Sequence, residues 1–191
     1  MVRVLVIAES KDRAEIVRAG LKLASCELTE IVPVDGGMGP ALARSAADAI
    51  IIEASSPTVD LLDRVVDAMG SESLPMIVFS SDGSPETIER GVRAGAAAYV
   101  VDGLSAERVP AIVNVALARF GVINELRTEL SAAQLKLAER KFVERAKGLL
   151  MKARNLSEDE AYHTLRRMAM ERNRRMGEVA KSVIEMAELL N

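Results

Sequence analysis

Five short apolar runs, Val4–Ala8, Leu28–Val34, Ala49–Ile52, Met76–Phe79 and Ala98–Val101, punctuate the first part of the chain, most of them rich in Val or Ile and most uninterrupted by charge. Continuous rather than alternating apolarity marks strands buried on both faces, as in a parallel sheet covered by helices. Helical periodicity fills the intervals, at about 11–24, 39–46, 57–69 and 85–94. Ser56-Pro57 and Ser84-Pro85 each offer an N-cap residue followed by proline at the first helical position, where a missing N–H is no loss. Five strands alternating with helices predict an α/β, doubly wound sheet whose site lies beyond the carboxyl ends of the strands.

Composition limits the chemistry available there. With 49% hydrophobic residues, 3% aromatic and no Trp, the core must be built from Ala, Val, Ile, Leu and nine Met, and few rings remain on which a base could stack. The single cysteine, Cys26, cannot form an internal disulfide and suits a reducing, cytoplasmic setting, where it reads as a small buried hydrophobe. Met1–Ile7 is too short for a secretory signal, and no stretch approaches eighteen consecutive apolar residues, so no membrane span or membrane partner is expected. Gly36-Gly37-Met38-Gly39 lacks the Lys-Ser/Thr of a phosphate loop and reads as a turn. No nucleophile–base pair, metal cluster or nucleotide fingerprint marks the strand ends, so no catalytic residue, metal or cofactor is expected.

From Ala106 to about Leu137 the pattern becomes one long helix. Ala116, Ile123, Leu130 and Leu137 recur every seven residues, and Ile112, Leu126 and Ala133 partly fill a second seam interrupted by Arg119 and Arg140. Such a seam predicts a coiled coil of about four heptads and a homodimer, with packing against the chain's own sheet domain as the competing explanation. Pro110 is tolerable in a first turn; Gly121 in the interior is a candidate bend.

The segment 142–191 differs from everything before it. Between Arg140 and Ile184 there are twelve Lys or Arg against six Asp or Glu, while residues 1–139 hold thirteen against twenty. Three short helices are predicted: one carrying Ala146, Leu149, Leu150 and Ala153, one opened by the capping box Ser157-Glu158-Asp159-Glu160 with Ala161, Leu165, Met168 and Ala169 on one face, and one carrying Met176, Val179, Ala180, Val183, Ile184 and Ala187. Glu144-Arg145-Ala146-Lys147-Gly148-Leu149-Leu150-Met151, Leu156–Tyr162, Leu165–Met170 and Val179-Ala180 with Val183-Ile184 together resemble the ANTAR domain. That resemblance implies a three-helix RNA-binding module of antitermination regulators whose target is a pair of stem-loops in structured leader RNA. The contacts fall to Lys147, Arg166, Arg167, Arg172, Arg174 and Arg175, with Lys152 and Lys141 as rim phosphate contacts, because guanidinium groups bind phosphate bidentately and stack on exposed loop bases. Tyr162 is either a stacking platform or core, with core favoured, and His163 reads as an ordinary surface residue.

The strand ends carry a second resemblance, to the flavodoxin-like receiver domain of response regulators. In that family acids after the first strand hold Mg²⁺, an Asp ending the third accepts the phosphoryl group, a Ser or Thr ends the fourth and a Lys the fifth. The corresponding positions here are Ala8-Glu9, Glu53, Ser80 and Asp102, a degenerate phospho-acceptor pocket lacking one acid and the lysine. Ala94–Leu104, Glu107-Arg108-Val109-Pro110 and Glu139-Arg140-Lys141 narrow the likeness to NasT-type ANTAR regulators of nitrate and nitrite assimilation. This implies a receiver-like domain over 1–105, a coiled-coil dimerisation helix over 106–141 and an ANTAR domain over 142–191. It also implies restraint by a nitrate-sensing NasS-like partner rather than by phosphorylation. The alternative is a phosphorylation-dependent response regulator that binds DNA.

Overall fold

The computed structural model describes residues 1–70 and 73–189, without the side chain of Leu189. Five strands, β1 (Arg3–Ala8), β2 (Glu27–Pro33), β3 (Ala49–Glu53), β4 (Met76–Ser80) and β5 (Ala96–Val101), form one parallel sheet in the order β2-β1-β3-β4-β5. Helices α1 (Lys11–Leu23), α2 (Met38–Ser45), α3 (Val59–Met69) and α4 (Pro85–Arg93) make the crossovers, and α5 (Val109–Arg154), α6 (Glu158–Glu171) and α7 (Met176–Leu189) follow. This is the flavodoxin-like topology expected from the apolar runs.

The buried runs divide by the two-residue period of a strand. Val4, Val6 and Ala8 face one core with Ala14, Val17 and Leu21 of α1 and Val109, Val113 and Ala116 of α5. Leu5 and Ile7 face the other, with Leu61, Leu62 and Val65 of α3. Helices α1 and α5 approach so closely that a side chain at Gly20 would collide with Val109. Cys26 lies half-buried against the first core, and burial pushes its thiol up from the ordinary value.

Two start signals resolve differently. Ser84 caps α4 with Pro85 next, as expected. Helix α3 begins instead at Val59 with Thr58 as its cap, the Thr58 hydroxyl accepting from the Leu61 N–H at 3.1 Å, because Ser56 donates its own hydroxyl to Asp82 at 2.7 Å. The glycine run is a turn: Gly37 sits in the left-handed region at φ 39° and α2 starts after it.

The chain divides into two compact units, Met1–Asn124 and Glu125–Asn191. The long helix expected from Ala106 and the helix carrying Ala146, Leu149 and Leu150 are one continuous element, α5. In the first unit Ala116 is buried, so the opening heptad position packs on the chain's own sheet. Farther along, Ile123, Leu126, Leu130 and Leu137 are exposed. By length and composition alone α5 is long and apolar enough to cross a membrane, although its first turns are buried against the sheet through Val109, Val113 and Ala116.

In the second unit a separate core joins Ala146 and Leu150 of α5, Ala161, Leu165 and Ala169 of α6, and Val179, Ala180 and Ile184 of α7. These are the apolar stripes of the three predicted helices.

Candidate nucleic-acid interface

The receiver-type pocket is assembled where β1, β3 and β4 end. Glu53 is completely buried. One of its carboxylate oxygens accepts from the Ser10 backbone N–H at 3.2 Å, and the other meets Arg13 Nε at 2.5 Å. Arg13 stands one turn into α1, where the Ser10 cap places it, and also donates to the Ser81 hydroxyl at 3.3 Å. The Glu9 carboxylate accepts from the Ser55 N–H at 2.5 Å. Ser80 is buried, donating to the Ser55 carbonyl and accepting from the Asp82 N–H. Asp102 is exposed with φ 47°, and its N–H bonds the Ser80 carbonyl.

A divalent ion needs several free oxygen donors. This donor set does not fit one: Ala8 offers no side-chain oxygen, Glu9 and Ser80 are engaged by protein groups, and the cation facing Glu53 is the guanidinium of Arg13. No phosphoryl-transfer step is therefore derived for these residues. Beside the pocket, Asp82 takes hydrogen bonds from Ser56, the Ser84 N–H and Thr87, which hold its carboxyl far below the usual carboxylate range. The Tyr99 hydroxyl donates to the Asp82 carbonyl at 3.0 Å.

The second unit is organised by its helix ends. Ser157 and Glu160 form the full capping box that the sequence announces, and the Ser157 N–H and hydroxyl pull the Glu160 pKa down. Helix α6 ends in a left-handed turn at Asn173 (φ 48°), with Asn173 N–H on the Met170 carbonyl and Arg174 N–H on the Ala169 carbonyl. This is a Schellman motif, with Asn at the position that tolerates positive φ. It fixes the backbone that carries Arg172, Arg174 and Arg175.

Seven of the eight sequence-assigned contacts are exposed: Lys141, Lys152, Arg166, Arg167, Arg172, Arg174 and Arg175. None of the seven forms an ion pair among the described residues. In the first unit, by contrast, Arg3, Arg13, Arg18, Arg44, Arg64 and Arg93 all face carboxylates. Lys147 departs from its assignment. It is only 8% exposed, and its ammonium bonds Glu158 at 2.7 Å and Glu144 at 2.9 Å, tying α5 to the start of α6. Those bonds raise the Lys147 pKa and lower that of Glu158. Tyr162, favoured as core, is exposed and stands edge-on to exposed His163, because Ala161 and Leu165 take the inward positions of that helix.

The ANTAR domain model matches residues 131–184. The transcriptional regulatory protein PdtaR of Mycobacterium tuberculosis is 32% identical over 138 residues, covering 72% of this chain and 67% of that protein. The nitrate regulatory protein of Klebsiella oxytoca is 36% identical over 67 residues, 35% of this chain and 17% of that one. The receiver domain of a modulated diguanylate cyclase from Desulfovibrio desulfuricans G20 (TM-score 0.51, 16% identity, 63% of this chain and 96% of that one) shares the fold of the first unit. So does a response regulator from Thermotoga maritima (TM-score 0.51, 16% identity, 62% and 98%). Fold and site thus define a receiver-fold regulator with a basic helical unit at its carboxyl end. The chain belongs to the ANTAR-domain family of response regulators.

Arg13 is the pocket residue that sequence reasoning missed. Its only local signal was a cation one turn after a strand-end acid, and its partner lies forty residues away. Arg13→Ala leaves a buried carboxylate unpaired; we expect a loss of roughly 2 kcal/mol in urea unfolding, less than a fully buried pair because Arg13 is partly solvated. Glu53→Gln in the same background should recover part of it, and an unchanged midpoint for Arg13→Ala would show that the pair is not formed in solution.

The Lys147 bridge predicts a pH window. Glu158 has a folded pKa below its ordinary 4.5, so its contribution is present above 4.5 and lost as pH falls through the depressed value. Lys147 has a folded pKa above its ordinary 10.5, so its contribution is complete below 10.5 and lost as pH rises through the raised value. The difference in thermal midpoint between wild type and Lys147→Met should be flat between those limits and shrink at both ends. A difference independent of pH would mean that packing, not charge, is what Lys147 supplies.

Proposed function

We propose that the protein is a transcription antitermination regulator whose ANTAR domain binds structured leader RNA, engaging paired stem-loops before a terminator can form. The observation that carries this reading is a contrast in charge pairing: Arg3, Arg13, Arg18, Arg44, Arg64 and Arg93 of the receiver unit face carboxylates, whereas exposed Lys141, Lys152, Arg166, Arg167, Arg172, Arg174 and Arg175 of the ANTAR unit form no ion pair among the described residues. Unpaired Lys and Arg are what phosphates recruit, and counterion release then supplies much of the affinity. Arg166, Arg167, Arg172, Arg174 and Arg175, with Lys152 and Lys141, form the contact set; Lys147 holds α5 to α6 and acts on RNA only through that packing.

Control of nitrate or nitrite assimilation genes is supported by the likeness to a nitrate regulatory protein and by the NasT-type motifs. Restraint by a separate nitrate-sensing, NasS-like protein agrees with a pocket in which Arg13 already occupies Glu53. The protein works in the cytoplasm as a homodimer. Its functional division is a receiver-like domain over 1–105, a dimerising stretch over 106–141 and an RNA-binding domain over 142–191. The exposed Ile123, Leu130 and Leu137 keep a seven-residue spacing and exposed Leu126 lies on the adjoining seam, a stripe that a second copy of the same helix would cover.

Gel-shift titration of a two-hairpin RNA, a scrambled RNA and duplex DNA, without phosphodonor and at several salt concentrations, tests the RNA reading. We expect hairpin-selective binding, with Arg166→Ala and Arg167→Ala each lowering the log–log salt slope by about 1. Preference for duplex DNA, or binding that appears only with acyl phosphate, would overturn it. For the dimer, Leu126→Ser combined with Leu130→Ser and Leu137→Ser should give a monomer by light scattering; a variant that stays dimeric would remove α5 as the dimerising element.

A further inference from the structure

Between the carboxyl-terminal turns of α5, the end of α6 and the middle of α7 lies an open depression of about 710 Å³. Its lining includes the apolar side chains of Leu149, Met168 and Met186 and the cations Lys152, Arg154 and Arg172. No carboxylate lines it, and none of these three cations forms an ion pair among the described residues. The volume is that of a small-molecule site, ample for one planar base.

We propose that this depression receives an unstacked loop base of the bound RNA, with Lys152, Arg154 and Arg172 on the phosphates that flank it. The inference rests on the RNA-binding reading above and deepens it. A base extruded from a hairpin loop must bury its faces against something apolar. This chain has no Trp, and the exposed rings of its second unit, Phe142, Tyr162 and His163, do not line the depression, so aromatic stacking is not available there. Two polarizable methionines and a leucine provide the apolar surface instead, since thioether groups pack well against flat rings. A lining of three cations and apolar side chains suits a base joined to two phosphates. It does not suit the apolar helix of a protein, which would have to bring matching carboxylates.

The test is a scan of the two-hairpin RNA with an abasic site at each loop position, bound by the full-length protein and by Met186→Glu and Met186→Ala, with anisotropy as the readout at fixed salt. Met186 is 60% exposed, so both variants should fold. One loop position should weaken wild-type binding by about tenfold when its base is removed. Met186→Glu should weaken intact RNA comparably and Met186→Ala less, and neither should add its loss to that of the critical abasic site. Tight binding of intact hairpins with no sensitive loop position, or with fully additive losses, would overturn the base site while leaving the RNA reading standing. Failure of wild type to distinguish hairpin from scrambled RNA would overturn both. Unchanged RNA affinity of Met186→Glu together with an altered molar mass by light scattering would assign the depression to a second copy of the chain.

Discussion

One helix has to satisfy two cores. The first turns of α5 bury Val109, Val113 and Ala116 against the sheet, and its last turns bury Ala146 and Leu150 against α6 and α7. Helical geometry returns a side chain to the same face after three, four or seven residues, so each core selects its own short set of positions from a single continuous element. Between those sets the apolar residues that neither core uses remain on the surface. Exposed Leu and Ile at heptad spacing are costly to leave in water, and that cost is what supports the proposed association of two such helices.

Electrostatic pairing separates the two units as clearly as packing does. In the receiver unit the strand-end carboxylates are engaged by protein groups: Glu9 by a backbone N–H, Glu53 by a backbone N–H and an ion pair with Arg13, Asp82 by two hydroxyls and a backbone N–H. Such a site has its cation tethered covalently, and a buried carboxylate held this way resists exchange of its partner because breaking the pair leaves an uncompensated charge. In the ANTAR unit carboxylates stabilise the scaffold, capping α6 through Glu160 and gripping Lys147 through Glu158, while Arg166, Arg167, Arg172, Arg174 and Arg175 form no ion pair among the described residues. The acids therefore shape the module and the arginines give it an outward charge.

Much of this was legible in the sequence because it depends on local rules. The five buried strands, the capping box at Ser157, the Ser84-Pro85 start and the core stripes of α6 and α7 follow from periodicity and from residues a few positions apart. Where local signals competed, tertiary partners decided. Ser56-Pro57 had the form of a helix start, yet the Ser56 hydroxyl is drawn to Asp82 and Thr58 takes over the cap. Tyr162 could have lain inward, but Ala161 and Leu165 already fill that face.

The sequence by itself determined the class of the fold, the succession of elements and the presence of a basic helical module, since hydrophobic period, capping chemistry and net charge are properties of neighbouring residues. Only the tertiary structure decided which charges are free. Lys147 and Arg166 look alike along the chain, yet one is folded between Glu144 and Glu158 and the other is left in water. Arg13 became the counter-ion of Glu53 because the end of β3 lies beside the start of α1. Ion pairing depends on distance in space, and a linear sequence does not contain that distance.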